Sequence, residues 1–155
     1  KILTRNLRVS MKVINKHKIY KAENNKSLLV DFHITSVNAG FPSPAEDHLD
    51  VSLDLNEYLI KHPSATFYIY AKGDSMIEDG IYSGDIMIVD RSLSPKSKDI
   101  IIAVIDGDFT VKRIYNKNDK IYLMPSNKNY KSISITNDMD FQIWGVVTHT
   151  IHHCR

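Results

Sequence analysis

From Thr66 onward the apolar positions fall in short runs rather than at helical spacing. Thr66 to Ala71 is rich in aromatic and β-branched residues, the composition of a strand. Similar runs follow at Ile86 to Asp90, Ile100 to Ile105, Asp108 to Ile114, Lys120 to Met124, Ser132 to Thr136 and Phe141 to Ile151. Asp106-Gly107 separates two of them, and such a dipeptide is the strongest short signal for a two-residue hairpin turn. Short strands at this spacing predict a mostly antiparallel, mostly β domain with a few short helices. One helix is predicted over residues 53–61. Asp54 can cap it, Leu55, Tyr58 and Leu59 share a face, and Pro63 stops it.

The first forty residues carry no such pattern. Residues 12–27 are mostly polar, and Leu28-Leu29-Val30 is a brief apolar patch suited to docking on a surface. Met11 is a candidate internal start. No pair of amphipathic helices with a turn between them suggests a helix-turn-helix. In Phe41-Pro42-Ser43-Pro44 two prolines fix φ and push the residues before them toward extended backbone. The expected organisation is a flexible N-terminal arm, residues 1–39, followed by a β-domain, residues 40–155. The stiff segment is either a plain hinge or a strand-like presentation of Ala39-Gly40 to a cleft.

Composition and charge sharpen this division. A chain of 155 residues, 43% of them hydrophobic, suits one packed domain. No apolar run is long enough for a membrane span, and the N-terminus lacks an apolar signal-peptide core. The one cysteine, Cys154, cannot pair within the chain, which agrees with a cytoplasmic location. The net charge of +2 conceals a split, because residues 1–39 hold eight Lys/Arg and two Asp/Glu while the remainder holds twelve and sixteen. The basic charges of the arm are scattered and lack interleaved aromatics, which argues against direct DNA binding. No glycine-rich phosphate loop or zinc-type Cys/His spacing is present, so neither a cofactor nor a metal is expected. Cys154 with His149, His152 and His153 has the right ligand types, but these are crowded at the chain end and read as a solvated tail.

Two residues remain as candidates for chemistry. In Gly73-Asp74-Ser75-Met76 the glycine permits a sharp turn, and Ser75 then stands at the head of a short helical turn, Met76 to Asp79, closed by Gly80. Main-chain N–H groups at such a head can stabilise an oxyanion. From the tetrapeptide alone Ser75 is equally a helix cap, which is the commoner role. In Phe109-Thr110-Val111-Lys112-Arg113, strand alternation puts Thr110, Lys112 and Ile114 on one face. A poorly hydrated lysine there loses charge readily and can take a serine proton; an edge-strand lysine that discourages aggregation fits the spacing as well.

Taken in order, several motifs resemble one family. They are Ala39-Gly40-Phe41-Pro42-Ser43-Pro44-Ala45, His62-Pro63-Ser64-Ala65-Thr66, Gly73-Asp74-Ser75-Met76, Gly84-Asp85, Phe109-Thr110-Val111-Lys112-Arg113 and Trp144-Gly145-Val146-Val147-Thr148-His149. Over about residues 37–150 the chain resembles the UmuD/MucA family of SOS mutagenesis proteins, relatives of the self-cleaving domain of the LexA repressor. The resemblance implies a LexA/signal-peptidase-like β-domain with a flexible arm. It implies Ser75 as nucleophile, Lys112 as general base and Ala39–Gly40 as the bond the protein cuts in its own kind, removing residues 1–39. It also implies a homodimer, stimulation by a RecA filament on single-stranded DNA, and a UmuC-like Y-family polymerase subunit as partner in error-prone translesion synthesis. The alternative within the same resemblance is a LexA-like self-cleaving repressor, against which the missing helix-turn-helix argues. A general Ser/Lys peptidase of the signal-peptidase type and a pure interaction protein are further readings.

Overall fold

In the computed structural model the residues described are Ile19–Lys21, Leu29–His33 and 50–155. The chain divides into two compact units. One comprises Asn24–Lys61; the other comprises Lys1–Glu23 with His62–Arg155.

In the smaller unit, β2 (Leu29–His33) pairs antiparallel with β3 (Asp50–Asp54), Leu29 opposite Asp54 and His33 opposite Asp50. The chain then enters α1 (Leu55–Leu59). Asp54 caps that helix as its sequence position predicts, accepting hydrogen bonds from Asn56 N and Glu57 N. The helix closes where the Ile60 N–H bonds back to the Asn56 carbonyl, three residues before Pro63.

In the larger unit, eight strands form one antiparallel sheet in the order β1-β4-β5-β10-β6-β7-β8-β9. These are β1 (Ile19–Lys21), β4 (Thr66–Tyr70), β5 (Ile86–Asp90), β6 (Ile100–Ile105), β7 (Asp108–Lys117), β8 (Lys120–Met124), β9 (Ile133–Ser134) and β10 (Phe141–Ile151). The mostly β reading is therefore right. Four of the predicted strands match at both ends, and β7 runs three residues past the predicted Ile114 because Tyr115 to Lys117 continue the ladder opposite β8. Asp106 and Gly107 both adopt positive φ, 50° and 87°, as the two-residue turn between β6 and β7 requires.

Three elements, β1, β2 and β3, were not visible in the pattern. β1 and β2 lie within the stretch read as an arm, and β1 pairs with β4, Ile19 opposite Ile69. β3 runs into the stretch read as the start of a helix, while β9 is the predicted run Ser132 to Thr136 shortened to two residues.

The run Ile100-Ile101-Ile102-Ala103 is apolar throughout because β6 is covered on both faces. Ile102 belongs to one buried cluster with Ile69, Ala71, Met76, Ile81, Met87 and Val89. Ile101 and Ala103 belong to a second with Ile114, Leu123 and Val146. The first cluster carries the wall on which the candidate site stands, edged by Phe67, Phe109, Val111 and Trp144. Phe67 and Phe109 each present a ring edge-on to Trp144, at 5.1 Å and 5.9 Å between centroids. The Arg91 guanidinium covers the Trp144 ring at 4.7 Å and donates from Nε to the Trp144 carbonyl. Among the described residues no helix is long and apolar enough to cross a membrane.

Candidate active site

After β4 the chain turns at Gly73, whose φ of +90° suits glycine and strains other residues. It then drops Met76 into the core, where that side chain is only 1% exposed. A 3₁₀ turn, Ile77–Asp79, follows, closed by Gly80 in the left-handed region. Met76, not Ser75, is the N-cap of this turn, and no side chain caps it. The capping reading of Ser75 is thus set aside, and its hydroxyl is used elsewhere. It accepts a hydrogen bond from Lys112 Nζ at 2.9 Å, across 37 residues of sequence.

Lys112 stands one residue before β7 begins to pair with β8, yet it is not the solvated lysine of an exposed edge. β7 ladders with β6 from Asp108 to Arg113, Ile101 opposite Lys112, and with β8 from Arg113 onward. The residue is 8% exposed. Its ammonium also donates to Thr110 Oγ1 at 2.9 Å and to the Val111 carbonyl at 2.8 Å. Three neutral acceptors hold it, with no carboxylate among them. Burial therefore decides its acidity and lowers its pKa below the ordinary lysine value. Sequence reasoning foresaw this poorly hydrated state as one of two possibilities; the Thr110 and Val111 contacts follow from their place beside Lys112 on β7.

The two side chains meet in an open cleft of about 630 Å³. Its floor and walls are mainly apolar, including Ile69, Met87, Ile102, Phe109 and Val111. The polar rim is Lys72, Asp74, Thr110 and Tyr130.

A second set of contacts was not foreseen. The loop after β8, Pro125 to Tyr130, is bonded to the serine turn at four points. Ser126 N donates to the Ser75 carbonyl at 2.8 Å, and Glu78 N donates to the Ser126 carbonyl at 2.9 Å. Asn127, 6% exposed, donates from Nδ2 to the Asp74 carbonyl at 2.9 Å. The Tyr130 hydroxyl donates to the Asp74 carboxylate. Asn127 Oδ1 in turn accepts from Asn129 N at 3.0 Å, so both ends of its amide are engaged. Pro125-Ser126-Asn127 has turn chemistry, but nothing in it points to a partner 53 residues away.

Away from the cleft, two carboxylates are buried against histidines. Asp90 lies 2.6 Å from His62 Nδ1 and also accepts from Ser92 N and Oγ. Asp85 lies 2.6 Å from His152 Nδ1 and accepts from Tyr82 N at 2.8 Å. His152 thus departs from the solvated-tail reading, since it is tied to the body while Cys154 beside it is exposed. Among the described residues no group of three or more His, Cys, Asp or Glu side chains is placed to hold a metal. Ala39 and Gly40 lie outside the described residues.

Comparison with known proteins places the chain in a family. The sequence profile described as peptidase S24-like matches residues 31–148. Protein SamA of Salmonella typhimurium is 50% identical over 117 residues, which is 76% of this chain and 81% of SamA. Protein MucA of Escherichia coli is 41% identical over 123 residues, 79% of this chain and 84% of MucA. The LexA repressor of Clostridium perfringens is 34% identical over 118 residues, 76% of this chain and 58% of that repressor. The chain belongs to the peptidase S24-like family, in its UmuD/MucA branch of SOS mutagenesis proteins.

Proposed function

We propose that this protein is a self-cleaving accessory subunit of an error-prone translesion polymerase, with Ser75 as nucleophile and Lys112 as general base. The observation that carries the reading is the 2.9 Å Ser75–Lys112 contact, made by a buried amine with no carboxylate bonded to it. Family membership and the foregoing motif resemblance support it.

The chemistry follows from the state of the lysine. As an ammonium it donates to Ser75 and blocks attack. Burial brings loss of that proton closer to neutrality, and the neutral amine can then accept the hydroxyl proton. Ser75 Oγ attacks the Ala39 carbonyl carbon. The tetrahedral intermediate collapses by breaking the Ala39–Gly40 C–N bond, and the Lys112 ammonium returns its proton to the departing Gly40 amine. Water, deprotonated by the same amine, then hydrolyses the Ala39 ester and frees Ser75. Small residues on both sides of the bond allow a close strand-like approach to the serine.

The proposal extends to partners. A RecA filament on single-stranded DNA would favour the conformation that brings the cleavage segment to Ser75, a population shift and not new chemistry. The product, residues 40–155, would act as a homodimer with a UmuC-like polymerase subunit. The repressor alternative is less well supported, because identity is 41–50% to MucA and SamA against 34% to the LexA repressor.

Intact-mass analysis of the full chain at mildly alkaline pH, beside Ser75→Ala and Lys112→Ala, tests the reading. Two fragments divided after Ala39, absent from both variants, are expected. Cleavage that persists in Ser75→Ala overturns it, and so does an intact chain even with RecA, nucleotide and single-stranded DNA added.

A further inference from the structure

The cleft is lined by one carboxylate, Asp74, and it directly precedes the serine that Lys112 contacts. An unrestrained carboxylate beside a buried ammonium would pair with it. Here Asp74 is committed elsewhere. Its carboxylate accepts from the Tyr130 hydroxyl and lies 3.5 Å from Asn127 Nδ2, and its carbonyl accepts from that same amide nitrogen. Asn127 is buried and has both ends of its amide bonded, so it cannot turn away at little cost.

We propose that Tyr130 and Asn127 are positioning residues that tether the Asp74 carboxylate away from Lys112, so that the loop Pro125 to Tyr130 sets the pH at which the serine–lysine pair works. This rests on the self-cleavage reading for its consequence, though not for its geometry.

Other charged groups near Lys112 do not replace Asp74. On β7 itself, Arg113 is paired with Asp79 of the 3₁₀ turn at 2.7 Å, and Asp108 stands at the exposed start of the strand. β6 presents Ile101 opposite Lys112. β8 begins its pairing one residue on, Met124 opposite Arg113. Tyr70 and Lys72 share the cleft wall, Glu78 is exposed in the 3₁₀ turn, and Lys128 is exposed on the loop. Asp74 is the carboxylate whose release would change the charge balance at Lys112.

The Asp74 contact also favours the protonated, donating form of Tyr130. Hydrogen bonding to Asp74 and the Asp74 charge raise the Tyr130 phenol above its ordinary value, while burial lowers Lys112. The first shift favours the donor form of Tyr130, and the second favours the neutral amine of Lys112.

The test follows the Lys112 side chain by NMR in labelled full-length protein, assigned with Lys112→Met. The background is Ser75→Ala, which cannot cleave. Adding Tyr130→Phe removes the hydroxyl bond and leaves the carboxylate only the 3.5 Å Asn127 contact. The Lys112 midpoint is expected to rise by about one pH unit, the low end for a neighbouring opposite charge because Asp74 is exposed. Adding Asp74→Asn should restore the midpoint. An unmoved midpoint in Tyr130→Phe overturns the proposal, as does a raised midpoint that Asp74→Asn leaves raised. With Ser75 intact, Tyr130→Phe should cleave roughly tenfold more slowly below the midpoint and match wild type at high pH. General damage would instead slow cleavage equally at every pH. A shifted Lys112 titration in a protein that never cleaves would support the tether and sink only the self-cleavage reading.

Discussion

Gly145 lies in β10, where the pairing with β6 shifts register between Ile143 and Gly145. A Cβ added there would sit 2.7 Å from Val89 Cγ1, 3.2 Å from the Asp90 carbonyl oxygen and 3.3 Å from Arg91 Cγ. The Arg91 stem is exposed and can move. The Asp90 carbonyl is main chain in the adjacent strand, and Val89 is fully buried and stiff at χ1. Gly145→Ala must therefore displace a packed side chain, at a cost of roughly 1–3 kcal/mol for overpacking. For a domain of this size that lowers Tm by roughly 2–12 °C. Trp144, the one tryptophan of the chain, is adjacent in sequence and reports the larger unit directly by fluorescence. Val89→Ala removes the methyl that clashes, so the double variant should melt higher than the two single losses added together, by about 1 kcal/mol. A Gly145→Ala protein that melts within about 2 °C of wild type, or losses that simply add, would refute the packing argument.

Two further predictions concern pH. The folded-state pKa of Lys112 lies below its unfolded value, so between the two the unfolded chain binds more protons. Wild type should gain stability relative to Lys112→Met as pH rises through that window; urea titrations across it that give a constant difference would contradict this. For Asp85, burial pushes the carboxyl up, but the Tyr82 N–H and the hydrogen bond and charge of His152 together hold it below the usual range. For Asp90, burial is likewise outweighed, by Ser92 and His62. These carboxylates contribute stability above about pH 4 that is lost as pH falls through their folded values. His152→Gln should move acid unfolding to higher pH, measured by circular dichroism, and an unmoved midpoint would show that the pair contributes nothing.

The succession of strands from β4 to β10 along the chain was legible because each long strand is apolar on at least one face and bounded by turn residues. The continuous apolar run of β6 reflects burial on both faces, and Asp106-Gly107 adopts the backbone its composition favours. Ser75 and Lys112 were legible as candidates, but their roles were not, because a cap and a nucleophile share one local sequence. What bears on the choice is long-range: Lys112 is buried and bonds to Ser75 across 37 residues, and Met76 takes the cap position. Asn127 and Tyr130 were invisible for the same reason. Their polar atoms find partners 53 and 56 residues away, and no local pattern encodes that distance. His152 looked like a loose tail because Asp85, its partner, is 67 residues earlier.

The central claim is that Ser75 and a readily deprotonated Lys112 cut the chain after Ala39. The rate of fragment formation against pH, in full-length wild type, Ser75→Ala and Lys112→Ala, tests it most directly. The account predicts a rate that rises with pH and levels off below the ordinary lysine pKa of about 10.4, with no fragments from either variant. A rate that keeps climbing past that value, or one that survives in Lys112→Ala, would contradict it.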